Sequence, residues 1–168
     1  AQDSSYTKMI RAAYNRTPDS FAITRALACF ERSLISGYSS YDKHINNELS
    51  LSPDALRGMD LFFSNKTNCS TCHSGFNFTN YAFENNGLYE VYDDEGRFRL
   101  TNNEADKALF KTPSLRNVEL TAPYMHDGSM KTLEEIITHY ESGGKNHFNK
   151  SPLIQPLNLT ETEKRDII

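Results

Sequence analysis

Cys69-Ser70-Thr71-Cys72-His73 carries the densest chemical information in the chain. Two thiols three positions apart, with a histidine directly after the second, form the attachment pattern of haem c. Each thiol adds across a porphyrin vinyl group, the intervening pair sets their separation, and His73 falls beneath the iron as an axial ligand. Covalent attachment keeps the cofactor in place where free haem would be lost. Rival uses of the motif fit less well. A zinc site needs further ligands with their own spacing, and no second cysteine pair exists. A thioredoxin-like redox pair needs a βαβ surround, which is missing.

The iron's second ligand is more open. Methionine and tyrosinate both serve in haem proteins, and the choice sets the reduction potential. Met125, His126, His139 and Tyr140 are the candidates. Tyr140 shares an apolar helical face with Leu133, Ile136 and Ile137, where an ordinary core tyrosine would also sit. His139 falls on the polar side of that helix beside Glu135 and reads as solvated. Met125 lies in the loop Ala122-Pro123-Tyr124-Met125-His126-Asp127-Gly128, where it serves equally well as a packing residue. His44 and His147 stand in polar surroundings and read as surface residues. Cys29, among small residues on a helical stripe, reads as core.

These residues need elements to hold them. Thr17-Pro18-Asp19 reads as a cap with proline at the first helical position, ahead of a stripe of Ile23, Leu27, Phe30 and Leu34. Ala22, Ala26 and Cys29 form a second stripe beside it. Ser36 to Ser50 reads as a polar connection. Ser52-Pro53-Asp54 starts a helix that brings Ala55, Met59, Phe62 and Phe63 to one side and stops at Ser64-Asn65, just before the cysteine motif. Gly75 to Ser129 shows no long helical period, and so long an irregular stretch needs something to wrap around. A haem, with two flat apolar faces, is such an object. Helical signal returns at Thr132 and ends at Gly143-Gly144. Thr160 and Glu163 make a capping-box pattern, and the helix they begin runs out at Ile167-Ile168 as if cut short.

The bulk numbers narrow the class. With 168 residues, the chain is the size of one domain with a substantial core. A net charge of −4 leaves no basic footprint for nucleic acid. No apolar run approaches the roughly 20 residues that span a bilayer. The first residues, Ala1-Gln2-Asp3-Ser4-Ser5, lack a basic start and an apolar core, as a mature chain relieved of its signal peptide would.

The segments Ala26 to Gly37, CSTCHSG at 69–75 and Phe110-Lys111-Thr112-Pro113-Ser114-Leu115-Arg116-Asn117-Val118, continuing from Leu120 to Gly128, resemble the bacterial di-haem cytochrome c peroxidases and their MauG-like relatives. The resemblance implies two cytochrome c-like domains, each with its own CxxCH. Here 1–44 matches the helical end of the preceding peroxidatic-haem domain, and 45–168 matches the electron-transfer haem domain, truncated at its C-terminus. The implied fold is all-α and cytochrome c-like, with long irregular loops wrapping the haem. The implied activity is reduction of hydrogen peroxide with electrons from a small redox donor, a cytochrome c or cupredoxin. A MauG-like oxidase acting on a protein or organic substrate, and a mono-haem electron carrier, are the alternatives. With one CxxCH, the second haem c, its ligands and the catalytic acid lie outside this segment.

The family's second ligand in this domain stands at Tyr140, methionine in classical peroxidases and tyrosine in MauG-like members, with Met125 the rival here. The resemblance further implies that Pro113, Leu115 and Arg116 border the haem, Arg116 as a propionate partner. It also implies a calcium ion held partly by the carbonyls of Thr121 and Pro123, periplasmic residence, and pairing into homodimers.

Overall fold

The computed structural model describes residues 4–168 and divides between Gly37 and Tyr38 into two compact units. The first holds two helices, α1 (Ser4–Tyr14) and α2 (Ser20–Ser33). The cap of α2 is Asp19 itself, whose side chain accepts the Ala22 N–H at 2.8 Å. Pro18 therefore lies outside the helix, two positions earlier than a proline at the first turn would be. Ala22 is buried, while Leu27, Phe30 and Leu34 are 56%, 62% and 64% exposed. Cys29 is exposed as well, against the expectation of a core position. Two helices enclose too little volume to cover both stripes of α2.

The second unit is helix-rich with little sheet. It opens with α3 (Ser40–Ile45), inside the stretch whose polarity reads as a connection. A capping box of Ser39 and Asp42 starts it. At six residues it is too short to display a period. Next come α4 (Pro53–Phe62), capped by Ser52, and α5 (Cys69–Cys72), a single turn. The long middle contains short pieces only: β1 (Phe83–Glu84), α6 (Phe98–Thr101) and β2 (Phe110–Lys111). β1 and β2 pair antiparallel, Phe83 opposite Lys111 and Glu84 opposite Phe110. Then α7 (Leu133–Ser142) runs from the Thr132/Glu135 capping box to Gly143, and α8 (Glu161–Asp166) follows the Thr160/Glu163 box.

Helix α8 closes on α4. Arg57 donates through Nε to Asp166 Oδ2 at 2.6 Å and through Nη2 to Asp166 Oδ1 at 3.0 Å. A Cβ added at Gly58 would stand 1.7 Å from the Asp166 carbonyl oxygen, so the contact exists only because residue 58 lacks one. Lys66 pairs with Glu163, and Lys164 with Glu141 of α7. Buried apolar side chains in this unit are few: Leu61, Leu88, Ala108 and Leu159. Asp42, Thr67, Thr79, Asn85, Thr112 and Ser151 are buried beside them. Thr67 and Thr79 donate their hydroxyls to the Leu61 and Thr112 carbonyls at 2.6 and 2.7 Å, which offsets their desolvation. Among the described residues no helix is long and apolar enough to cross a membrane.

Candidate functional site

The cysteine motif sits on a tight fold of the chain. Asn68 adopts φ 55, turning the backbone into α5, and the His73 N–H donates to the Cys69 carbonyl at 2.9 Å. Asn80 returns to the same turn, its N–H reaching the Cys72 carbonyl at 2.8 Å and its side chain the Thr71 carbonyl at 3.3 Å. Both thiols are free and half-buried. Burial pushes both up in pKa, and Glu84 and Cys69 push Cys72 further. These are not the electropositive surroundings of a reactive thiolate.

His73 is half-buried with its ring fixed. Its Nδ1 lies 3.0 Å from the Phe78 carbonyl, which can only accept, so Nδ1 carries the proton and Nε2 keeps its lone pair. Burial lowers the His73 pKa, and the Phe78 and Pro113 carbonyls oppose it. The ring is thus a neutral imidazole with its outer nitrogen held by an acceptor, the arrangement that orients metal-bound histidines. Phe78 stands at φ 50, and the loop around it is tied down from outside. Arg116 donates through Nε to the Phe76 carbonyl at 2.7 Å and through Nη1 to Asp42 at 2.6 Å. Its guanidinium lies 4.5 and 5.1 Å from the Phe76 and Phe78 ring centroids. Arg116 and Ser39 together hold the Asp42 carboxyl well below the usual carboxylate range, Arg116 having the larger effect. Arg116 therefore has partners of its own within the fold. Leu115 is half-buried and Pro113 exposed.

Tyr140 lies on the inner side of α7. Burial raises its phenol, the Asn86 side-chain amide opposes this by hydrogen bonding, and Cys69, Cys72 and Tyr92 add electrostatic upward pressure. Met125, at φ 69, is half-buried, and its sulfur accepts from Asn86 Nδ2 at 3.3 Å. His126 stacks on Phe110 with centroids 3.9 Å apart. His139 is not simply solvated: it is half-buried, with Nε2 3.0 Å from the Asn86 carbonyl. His147 is likewise engaged, Nδ1 facing the Asn85 amide at 3.2 Å and the Asn149 N–H at 3.1 Å. His44 lies 3.2 Å from the Leu49 carbonyl. Thr121 and Pro123 are exposed. Among the described residues no three His, Cys, Asp or Glu side chains cluster to hold a metal ion.

This donor set fits a covalently held haem. Paired thiols share a turn with an oriented imidazole, and a half-buried phenol stands on α7. The model of the family described as di-haem cytochrome c peroxidase matches residues 1–50. The methylamine utilization protein MauG of Methylorubrum extorquens is 38% identical over 148 residues, 87% of this chain and 42% of that protein. The chain belongs to the di-haem cytochrome c peroxidase/MauG-like family.

Cytochrome c peroxidase Ccp of Escherichia coli is 39% identical over 132 residues, covering 72% of this chain and 28% of that one. A solved MauG-like protein associated with microbial copper homeostasis superposes with a TM-score of 0.83 at 33% identity, over 98% of this chain and 57% of that one. The chain thus spans less than half the length of these two curated family members. Three residues that shape the site went unnoticed in the sequence. Asp42 carried a signal, the Ser39-x-x-Asp42 capping pattern. Phe78 and Asn86 carried none, since one acts through its carbonyl and the other sits in an ordinary turn string, Asn85-Asn86-Gly87.

Proposed function

We propose that this chain is the electron-transfer half of a di-haem enzyme that reduces hydrogen peroxide. On this reading 1–44 is the helical end of the peroxidatic domain, and 45–168 is the cytochrome c-like domain. The family match to residues 1–50 supports the first assignment, as do the exposed apolar residues of α2, which the rest of that domain would cover. The carrying observation for the second is His73, whose Nδ1 is committed to the Phe78 carbonyl on the same turn as Cys69 and Cys72.

When bound, the haem supplies one-electron chemistry, between a small donor protein and the second haem of the partner domain. The chain's own residues do the rest. Cys69 and Cys72 would anchor the haem, and His73 would ligate its iron through the nitrogen left free of the Phe78 carbonyl. Tyr140 would supply the second ligand, with Met125 its rival. Pro113, Leu115 and Arg116 border the His73 side, and Arg116 acts on a propionate in addition to Asp42. A calcium ion on the Thr121 and Pro123 carbonyls, extracytoplasmic residence and a homodimer complete the proposal.

The test uses the intact native protein. Two covalent haems per molecule are expected, falling to one in Cys69→Ala/Cys72→Ala, with loss of peroxide-dependent oxidation of a reduced cytochrome c or cupredoxin. One haem in the unaltered protein would instead make it an electron carrier, and none would sink the reading. Tyrosine at position 140 favours a second reading, a MauG-like oxidase of a protein or organic substrate, because a phenolate stabilises ferric iron more than a thioether does. Peroxide turnover that needs such a substrate, and that ignores small donor proteins, would select it.

A further inference from the structure

Asn85 is 1% exposed, and its amide has a fixed direction. Oδ1 accepts the Gly87 N–H at 2.7 Å and the Tyr92 hydroxyl at 3.0 Å, so Nδ2 is the atom that faces His147 Nδ1 at 3.2 Å. The Asn149 backbone N–H meets the same imidazole nitrogen at 3.1 Å. Both of these neighbours can only donate, so Nδ1 carries a lone pair and the ring is neutral with its proton on Nε2.

His147 thereby fastens one segment to another. Residues 145–151 cross the 85–87 turn, the Lys145 N–H donating to the Gly87 carbonyl at 2.6 Å and the Ser151 N–H to the Asn85 carbonyl at 2.9 Å. The approach is close, since a Cβ at Gly144 would stand 2.8 Å from the Asn86 carbonyl oxygen. That carbonyl in turn lies 3.0 Å from His139 Nε2, on α7. The 145–151 segment, the turn and α7 are therefore linked in series, with His147 at the outer joint. Tyr92, Glu90, Glu95 and Lys107 line the cavity beside the imidazole, and its own segment brings Lys145 and Lys150. Lys107 pairs with Glu95 at 3.3 Å, and Lys150 Nζ donates to the Gly143 carbonyl at 2.9 Å. Burial holds the imidazole below its ordinary value of 6.5, and Lys107 adds to this.

We propose that residues 145–151 form an acid-released strap in which His147 is the latch, its Nδ1 lone pair holding the Asn85 amide and the Asn149 N–H. A proton on Nδ1 removes that lone pair, and however the ring then turns, imidazolium has no acceptor to offer. Two donors, one of them on a side chain 1% exposed, are left without their partner, which disfavours the closed strap. Because the folded form favours the neutral ring, closure is fully favoured above pH 6.5 and loses ground as pH falls below it. The latch involves no haem atom and goes beyond the proposed electron-transfer role.

Amide hydrogen exchange in 85–87 and 145–151 of the intact haem-loaded protein reads the latch across about pH 8 to 5, the range in which histidine titrates. After correction for intrinsic exchange, opening should rise by up to about tenfold per pH unit below 6.5, the limit for one proton. His147→Asn places an amide oxygen near the Nδ1 position, an acceptor that mild acid does not silence, and its strap should stay closed throughout. His147→Phe offers no acceptor and should exchange at every pH as the unaltered protein does in acid. Protection that ignores pH in the unaltered protein overturns the proposal, and so does acid opening that persists in His147→Asn. The nitrogen resonances of His147 need no variant, and should show the proton on Nε2 at neutral pH with a titration midpoint below 6.5. A proton on Nδ1 at neutral pH overturns the latch too.

Discussion

At the scale of single residues, the site divides into groups that touch the haem position and groups that aim them. Asp42 belongs to the second kind, and Arg116 to both. Their side chains are 6% and 11% exposed, and the Arg116 Nε reaches the loop whose Phe78 carbonyl holds His73. Removing one partner of a buried pair strands the other's charge, so Arg116→Met is expected to cost about 3–5 kcal/mol in chemical unfolding. Asp42→Asn/Arg116→Met should recover much of that, because no unpaired charge remains. If the double variant is no more stable than Arg116→Met alone, the pair is not the source of the loss. The cysteines and His73 were legible because their chemistry is written in side chains at fixed spacing. The Phe78 carbonyl was not, since any residue at φ 50 would present one. His139 was misread for a related reason, as the Asn86 carbonyl that engages it lies 53 residues away.

Elements show the same division. Helices α4 and α7 announced themselves through caps and apolar period and α8 through its capping box, while α3 was hidden by its brevity and α2 begins later than its proline implied. No local signal foretold that α8 would settle on Gly58. Gly58→Ala must push α8 away from α4 or fail to fold, since the added carbon meets backbone rather than a flexible side chain. Overpacking of this kind costs about 1–3 kcal/mol, and thermal unfolding should place this variant at the upper end. Stability near the parent's would mean that α8 moves freely. The same contact has an acid limit. Lys66 is the largest influence lowering Glu163, from 4.5 to about 2. A carboxyl depressed on folding contributes fully above its unfolded pKa, and the contribution fades as pH falls through its folded one. Release of α8 is therefore expected between pH 4.5 and about 2. Glu163→Gln, which retains an acceptor for the Thr160 N–H, should flatten the transition followed by hydrogen exchange in α8. An unchanged profile would place the acid sensitivity elsewhere.

For the molecule as a whole, the notable quantity is how little apolar side-chain volume is fully enclosed. Among the described residues Asn85 is the largest side chain under 2% exposed, while Phe62, Phe78, Leu115 and Ile136 are only half-buried. Moving a large apolar side chain from half-covered to covered is worth about 1 kcal/mol. Haem attachment is thus expected to add several such increments, raising the unfolding temperature of the intact protein well above that of Cys69→Ala/Cys72→Ala. Equal unfolding temperatures would show that these side chains gain nothing from the cofactor. The absence of a long helical period between 75 and 129 was legible. That absence, beside the cysteine motif, is what pointed to an object such as a haem for the stretch to wrap around.

The fixed imidazole of His73 also bears on speed. An electron transfers quickly when the atoms around it need to move little between its two charge states. His73 cannot rotate without breaking its bond to the Phe78 carbonyl, and Phe78 is pinned beneath the Arg116 guanidinium. Nor can Phe78 readily relax, since a non-glycine residue at φ 50 occupies a narrow backbone well. On the proposed reading, in which His73 ligates the haem iron, its ring plane would be the same before and after an electron arrived. The reorganisation energy of such a centre would then fall on solvent and on the second ligand, and hardly at all on this histidine.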